Sequence, residues 1–167
     1  MAEQKAENPV LGDQSVADLG WWRIHAQLVE AAVLLVVARL LIRFVRFGRW
    51  RNVLGRVAPQ AGVVLPAAES NGIDATYQEA GTLDRYLSRV VDRAALRMPF
   101  EYRCLPRAAA LHWMLTRRGR PTMLVIGVLP GPRRGQLDDL HAWVELGGEV
   151  LIGSSPEPFA VLLRLQK

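Results

Sequence analysis

Residues 101–119 read EYRCLPRAAALHWMLTRRG. Pro106 suits the first turn of a helix, where its missing N–H has no partner to lose. The run of alanine and leucine that follows favours helix, and Gly119 with Pro121 closes it behind Arg117 and Arg118. Cys104 therefore stands at a helix start, where unpaired amides and the positive end of the helix dipole favour a thiolate over a thiol. Beyond this helix, TMLVIGVL (122–129) reads as a strand and PGPRRG (130–135) as a loop. HAWVEL (141–146), Gly147-Gly148 and EVLI then read as a two-residue-turn hairpin. A helix followed by antiparallel strands predicts a small α+β domain, with the Cys104 helix packed on the sheet.

Upstream of this block, Leu83, Leu87, Val90, Val91, Ala94 and Ala95 step at three and four residues, with charges between them. An amphipathic helix is predicted to about Arg97, stopped by Pro99. Residues 58–81 gather prolines and glycines among small polar residues and read as a connector. Residues 21–57 form an apolar, basic helical region, and residues 1–20 read as a flexible tail. The predicted division is thus tail (1–20), basic helical region (21–57), connector (58–81) and core (82–167). The tail lacks the layout of a secretory signal, which predicts a cytoplasmic protein. In the basic region the longest apolar run, Ala31 to Ala38, covers about 12 Å of a roughly 30 Å hydrocarbon core, which reads as too short to span. Arg39, Arg43 and Arg46, at i, i+4 and i+7, are predicted to line one helix face, which reads as a solvated face of the domain or, alternatively, as a contact for partner or substrate carboxylates.

Composition narrows the chemistry. The chain has 167 residues, half of them apolar, which is enough for one domain with a sizeable core. One cysteine permits neither an intrachain disulfide nor a multi-cysteine zinc site, and three scattered histidines build no metal cluster by spacing. Net charge is +5, and nineteen of the twenty-one bases are arginine, yet no nucleic-acid motif accompanies them. The remaining candidates are Cys104 as nucleophile and His141, at its strand start, as the base, an arrangement that papain-like folds use. His112 lies about 12 Å along the same helix from Cys104 and reads as a packing residue. If Gly147 and Gly148 form the turn, Leu146 faces Glu149, Trp143 faces Ile152 and His141 faces Ser154.

The quoted residues resemble a known family. Arg103-Cys104-Leu105-Pro106-Arg107, the alanines after it, Arg118-Gly119-Arg120-Pro121, Ile126-Gly127-Val128 and above all His141-Ala142-Trp143-Val144-Glu145 are similar to the leader peptidases of lasso-peptide biosynthesis. These form a branch of the transglutaminase-like cysteine protease superfamily, and the resemblance covers roughly residues 20 to 165. It implies a papain/transglutaminase-like core and removal of a leader from a ribosomally made precursor. Cys104 would attack and His141 would act as general base. It implies no cofactor in the chain, and leaves open whether the maturation system needs a nucleotide. The implied partners are the precursor's leader, a separate leader-recognition protein and an asparagine-synthetase-like macrolactam cyclase.

One departure concerns the third catalytic member. The family usually has an aspartate about a dozen residues after the histidine, where this chain has Gly153-Ser154-Ser155. The predicted register makes Ser154 the orienting group, with the loop carboxylates Asp139 and Glu157 as alternatives. Ala108 stands where the family tends to have serine. A second reading is a catalytically weak scaffold that binds leader or cyclase, and peripheral membrane contact through residues 21–56 is compatible with both.

Overall fold

The computed structural model describes residues 11–58, 79–130 and 139–167. Helix α1 (Leu11–Phe44) and the short α2 (Phe47–Leu54) lead into a two-residue strand β1 (Arg56–Val57). Helices α3 (Thr82–Arg97) and α4 (Cys104–Thr116) follow, then β2 (Met123–Val128), β3 (Leu140–Leu146), β4 (Glu149–Ile152) and β5 (Ala160–Gln166). The strands form one antiparallel sheet in the order β1-β5-β2-β3-β4. The fold is α+β, with the Cys104-bearing helix on the sheet, as the sequence predicts. The predicted connector falls mostly at residues 59–78, outside the described residues.

α4 carries no polar stripe, so it must be covered on all sides. Every residue from Ala108 to Leu115 is buried, between β2 and β3 on one side and α1 and α3 on the other. His112 is sealed in this layer. One ring nitrogen bonds the Leu54 carbonyl at 2.7 Å and the other the Thr122 hydroxyl at 2.9 Å. Burial holds its imidazole below the ordinary histidine range. This is the packing role read from the sequence.

The helices are fastened to one another by ions. Asp84, buried in the first turn of α3, accepts from the Gly81 N–H and pairs with Arg120, just past α4. Arg118 and Arg117 both hold Glu30 of α1. These pairs join α1 and α3 to the end of α4 and so fix where the helices cross.

Several expectations are corrected. α1 starts at Leu11, so residues 11–20 are helical where a tail was predicted; Gly12 and Gly20 each cost about 1 kcal/mol, which a 34-residue helix absorbs. Gly20–Phe44 has 25 residues and contains an 18-residue stretch of mean hydropathy 1.8, long and apolar enough by length and composition to cross a membrane. The expectation that it is too short counted an uninterrupted run, whereas Glu30 and Arg39 merely punctuate a longer apolar stretch. α1 also ends at Phe44, and Arg46 is the extended residue that caps α2 (ψ 132°). The predicted line of Arg39, Arg43 and Arg46 is therefore broken at its third member. β1, in a stretch read as helical, pairs with β5.

The hairpin turn stands where predicted, with positive φ at Gly147 (58°) and Gly148 (84°) and Leu146 opposite Glu149. Its register then changes. Glu145 faces Val150 but Val144 faces Ile152, so Leu151 is an extra residue. Ile152 meets Val144 and not Trp143, and the predicted alignment of His141 with Ser154 is lost with it. A bulge moves every residue beyond it by one position and bends the strand.

Candidate active site

Cys104 opens α4 after Arg103, whose extended backbone (ψ 176°) caps the helix. The side chain is half-buried, and its thiol faces the carbonyl of Leu140 at 3.7 Å. Leu140 is the neighbour of His141 on β3, so helix start and strand start meet here. Cys104 and His141 line the same cavity of about 500 Å3, with Asp92, Arg103, Arg107 and the 151–154 segment around them. The pairing proposed from sequence alone is thus brought together in space.

The imidazole is held on three sides. Its Nε2 lies 2.7 Å from the carbonyl oxygen of Gly153. That carbonyl can only accept, so Nε2 carries the proton, and in the neutral ring Nδ1 is left as an acceptor. Phe159 stacks on the ring at 4.8 Å between centroids, and Trp143 lies beyond at 6.0 Å. Trp143 is fixed in turn by its indole N–H, which donates to Glu145, and Glu145 accepts from Arg164 of β5.

Two glycines make this packing feasible. Gly153 has φ +80°, and a Cβ there would lie 2.6 Å from the Ala142 carbonyl oxygen. A Cβ on Gly127, opposite His141 across β2, would meet the Trp143 ring at 2.9 Å. Both glycines fall in motifs quoted from the sequence, where neither is assigned this role, and Phe159 is not singled out there. An isolated glycine just past a strand does signal a bulge or a close backbone approach, and that clue marks Gly153.

The other predicted residues separate. Ser154 lines the same cavity as Cys104 and His141, but the oxygen at Nε2 belongs to its neighbour Gly153. Glu157 is exposed and lines a smaller pocket of about 240 Å3 on the Phe159 side of the ring. The Asp139 carbonyl accepts from the Leu129 N–H, closing the end of the β2–β3 ladder. Arg39 donates to the Glu101 carbonyl at 3.1 Å and lies 4.9 Å over the Phe100 ring, bracing the segment just ahead of Cys104. Arg43 lines a long cleft of about 1040 Å3 that also reaches Cys104 and His141. Arg46 is exposed and lines neither cleft.

A family model for the transglutaminase-like superfamily matches residues 32–164. The chain belongs to the transglutaminase-like superfamily. Neither a curated protein nor a solved structure matches it. The match begins inside α1 and ends inside β5, so it takes in Cys104, His141 and the α+β frame that joins them. The transglutaminase-like superfamily includes cysteine peptidases, and a thiol at a helix start beside a strand-borne imidazole is the pair such chemistry needs. A second, apolar pocket of about 410 Å3 adjoins the pair, walled by Ile42, Val45, Ile126 and Leu163. In this transglutaminase-like chain Cys104 and His141 thus stand between a polar cavity and an apolar one.

Proposed function

We propose that the protein is a cysteine peptidase that removes the leader from a lasso-peptide precursor. The observation that carries this reading is the tethered imidazole: Gly153 occupies Nε2, which leaves Nδ1 as the base, on a ring that lines the cavity shared with Cys104. Nδ1 takes the thiol proton as Sγ attacks the scissile carbonyl. The first-turn amides of α4, which lack intrahelical acceptors, support the developing oxyanion. The imidazolium then protonates the leaving amine, and the C–N bond breaks to leave a thioester on Cys104. Water, deprotonated by the same imidazole, hydrolyses the thioester and restores the thiol. The Cys-Leu-Pro-Arg and His-Ala-Trp-Val-Glu motifs support the lasso-peptide assignment, with the leader, a separate recognition protein and a macrolactam cyclase as partners.

The test is cleavage of the precursor encoded beside the gene, with and without its neighbouring recognition protein, read by mass. Release of leader and core by the wild type, and by no Cys104→Ala sample, is the expected result. One observation favours a second reading, a scaffold that binds without cutting: the group on Nε2 is a neutral carbonyl, which stabilises an imidazolium less than a carboxylate does. Leader binding with no cleavage under any partner condition would select the scaffold.

A further inference from the structure

α1 has two apolar faces, and among the described residues only one of them is covered. Ala31, Leu35 and Ala38 are fully buried against the domain. On the opposite side lie Trp22 (66% exposed), Val29 (62%), Val33 (54%), Val36 (36%), Leu40 (49%) and Phe44 (78%), spaced so as to share one face. The stripe runs about 33 Å and no charged residue interrupts its centre. An exposed apolar surface of this length marks an interaction site.

Charge selects the occupant. Residues 20–57 contain seven arginines and a single acidic residue, Glu30. Glu30 is already engaged by Arg117 and Arg118. A second copy of the chain would bring the same sign against this surface, whereas anionic headgroups complement it. Trp21 and Trp22, both exposed at one end, are the residue type that settles at a membrane–water boundary.

Packing selects the orientation. The middle of α1 rests on α3 and α4, and Glu30 ties it to Arg117 and Arg118. Crossing a bilayer would carry those arginines into hydrocarbon, where each is strongly disfavoured. We propose that α1 lies in the plane of an anionic phospholipid surface, with its outer face in the headgroup–acyl boundary and the rest of the domain above it. Arg43 and Phe44 line the long cleft that reaches Cys104. Docking would therefore hold the cleft mouth close to the headgroups.

The full chain is floated with vesicles of phosphatidylcholine alone or with about one-third phosphatidylglycerol. Flotation with the anionic vesicles only, reversed by high salt, is expected. The double variant Val33→Glu/Val36→Glu should lose at least about tenfold in partitioning. Arg46→Glu/Arg49→Glu, at exposed positions off the face and away from the clefts, should lose about fivefold per charge and keeps the test readable if the valine variant misfolds. Wild-type circular dichroism and melting should be retained by the arginine variant. Failure of the wild type to float overturns the proposal. Resistance to both salt and alkaline carbonate would instead make α1 a spanning helix. A lipid-free dimer that Val33→Glu dissolves, without flotation, would assign the face to a second copy.

Discussion

The molecule contains two interior histidines served by the same helix, and they show opposite uses of one ring. His112, on α4, is fully buried, and both its nitrogens have partners, Leu54 and Thr122. His141, across from the start of α4, is half-buried, and only Nε2 is tied. A filled imidazole is cement, holding α2 and the β2 approach to α4. On the peptidase reading proposed above, an imidazole at a cavity wall with one nitrogen tied is a reagent, because its tautomer is fixed and its remaining lone pair is available.

The sharpest way to break this contrast is to remove each ring. His141→Ala should lower precursor cleavage by about a thousandfold or more with little change in melting temperature. His112→Ala should destabilise the fold by roughly 3 kcal/mol, by opening a cavity and stranding the Leu54 carbonyl, while the surviving folded fraction still cleaves. If His112→Ala proves the inactive but stable variant, the two roles are exchanged and the site reading fails.

A smaller effect is expected from the backbone that aims His141. Gly153→Ala places a methyl 2.6 Å from the Ala142 oxygen at a φ that L-residues avoid, so the 153 carbonyl must move. Cleavage kcat should fall about ten- to a hundredfold with KM little altered. Wild-type kinetics in this variant would detach the carbonyl from catalysis.

Acid should reveal His112 next. Its folded-state pKa lies below its ordinary 6.5, so under about pH 6.5 the unfolded chain takes up a proton that the native protein refuses. The stabilisation is complete above that pH. It falls with a slope of up to about 1.36 kcal/mol per unit as pH drops, and levels off below the folded value. Denaturant midpoints for the wild type and His112→Gln, measured from about pH 7.5 to about pH 5, should converge on the acid side if this is so; parallel curves would not fit.

The least effect belongs to Ser154→Asp. With Nε2 already occupied by Gly153, the new carboxylate should change the cleavage rate by less than about threefold. A tenfold gain would show that residue 154 can displace the carbonyl and serve the ring.

How far this contrast was legible in the sequence depends on how local each cause is. Cys104 and His141 were found because a proline-primed helix start and a Gly-Gly hairpin are local signals, and α3 was found from its periodicity. The bulge at Leu151 has no such signal: it is decided by how β4 and β3 meet the α3 face, where the Ser88 hydroxyl donates to the Leu151 carbonyl. One extra residue shifted the ring's partner from the Ser154 side chain to the Gly153 backbone. β5 escaped notice because AVLLRLQ is rich in leucine, a good helix former, and becomes a strand through pairing with β2. The reach of α1 back to Leu11 and the docking of Arg39 on Glu101 and Phe100 likewise depend on contacts made across the chain.

Cys104 is the chain's sole thiol and is half-buried at a cavity wall. No second cysteine in the chain can resolve an oxidised sulfur. A sulfenic acid formed there would be captured by a small external thiol as a mixed disulfide, or would advance to the irreversible sulfinic acid. As the peptidase proposed above, the chain would be silenced reversibly by a small thiol such as glutathione and rescued by a reductant small enough to enter the cavity, so its working state would follow the redox poise of its surroundings.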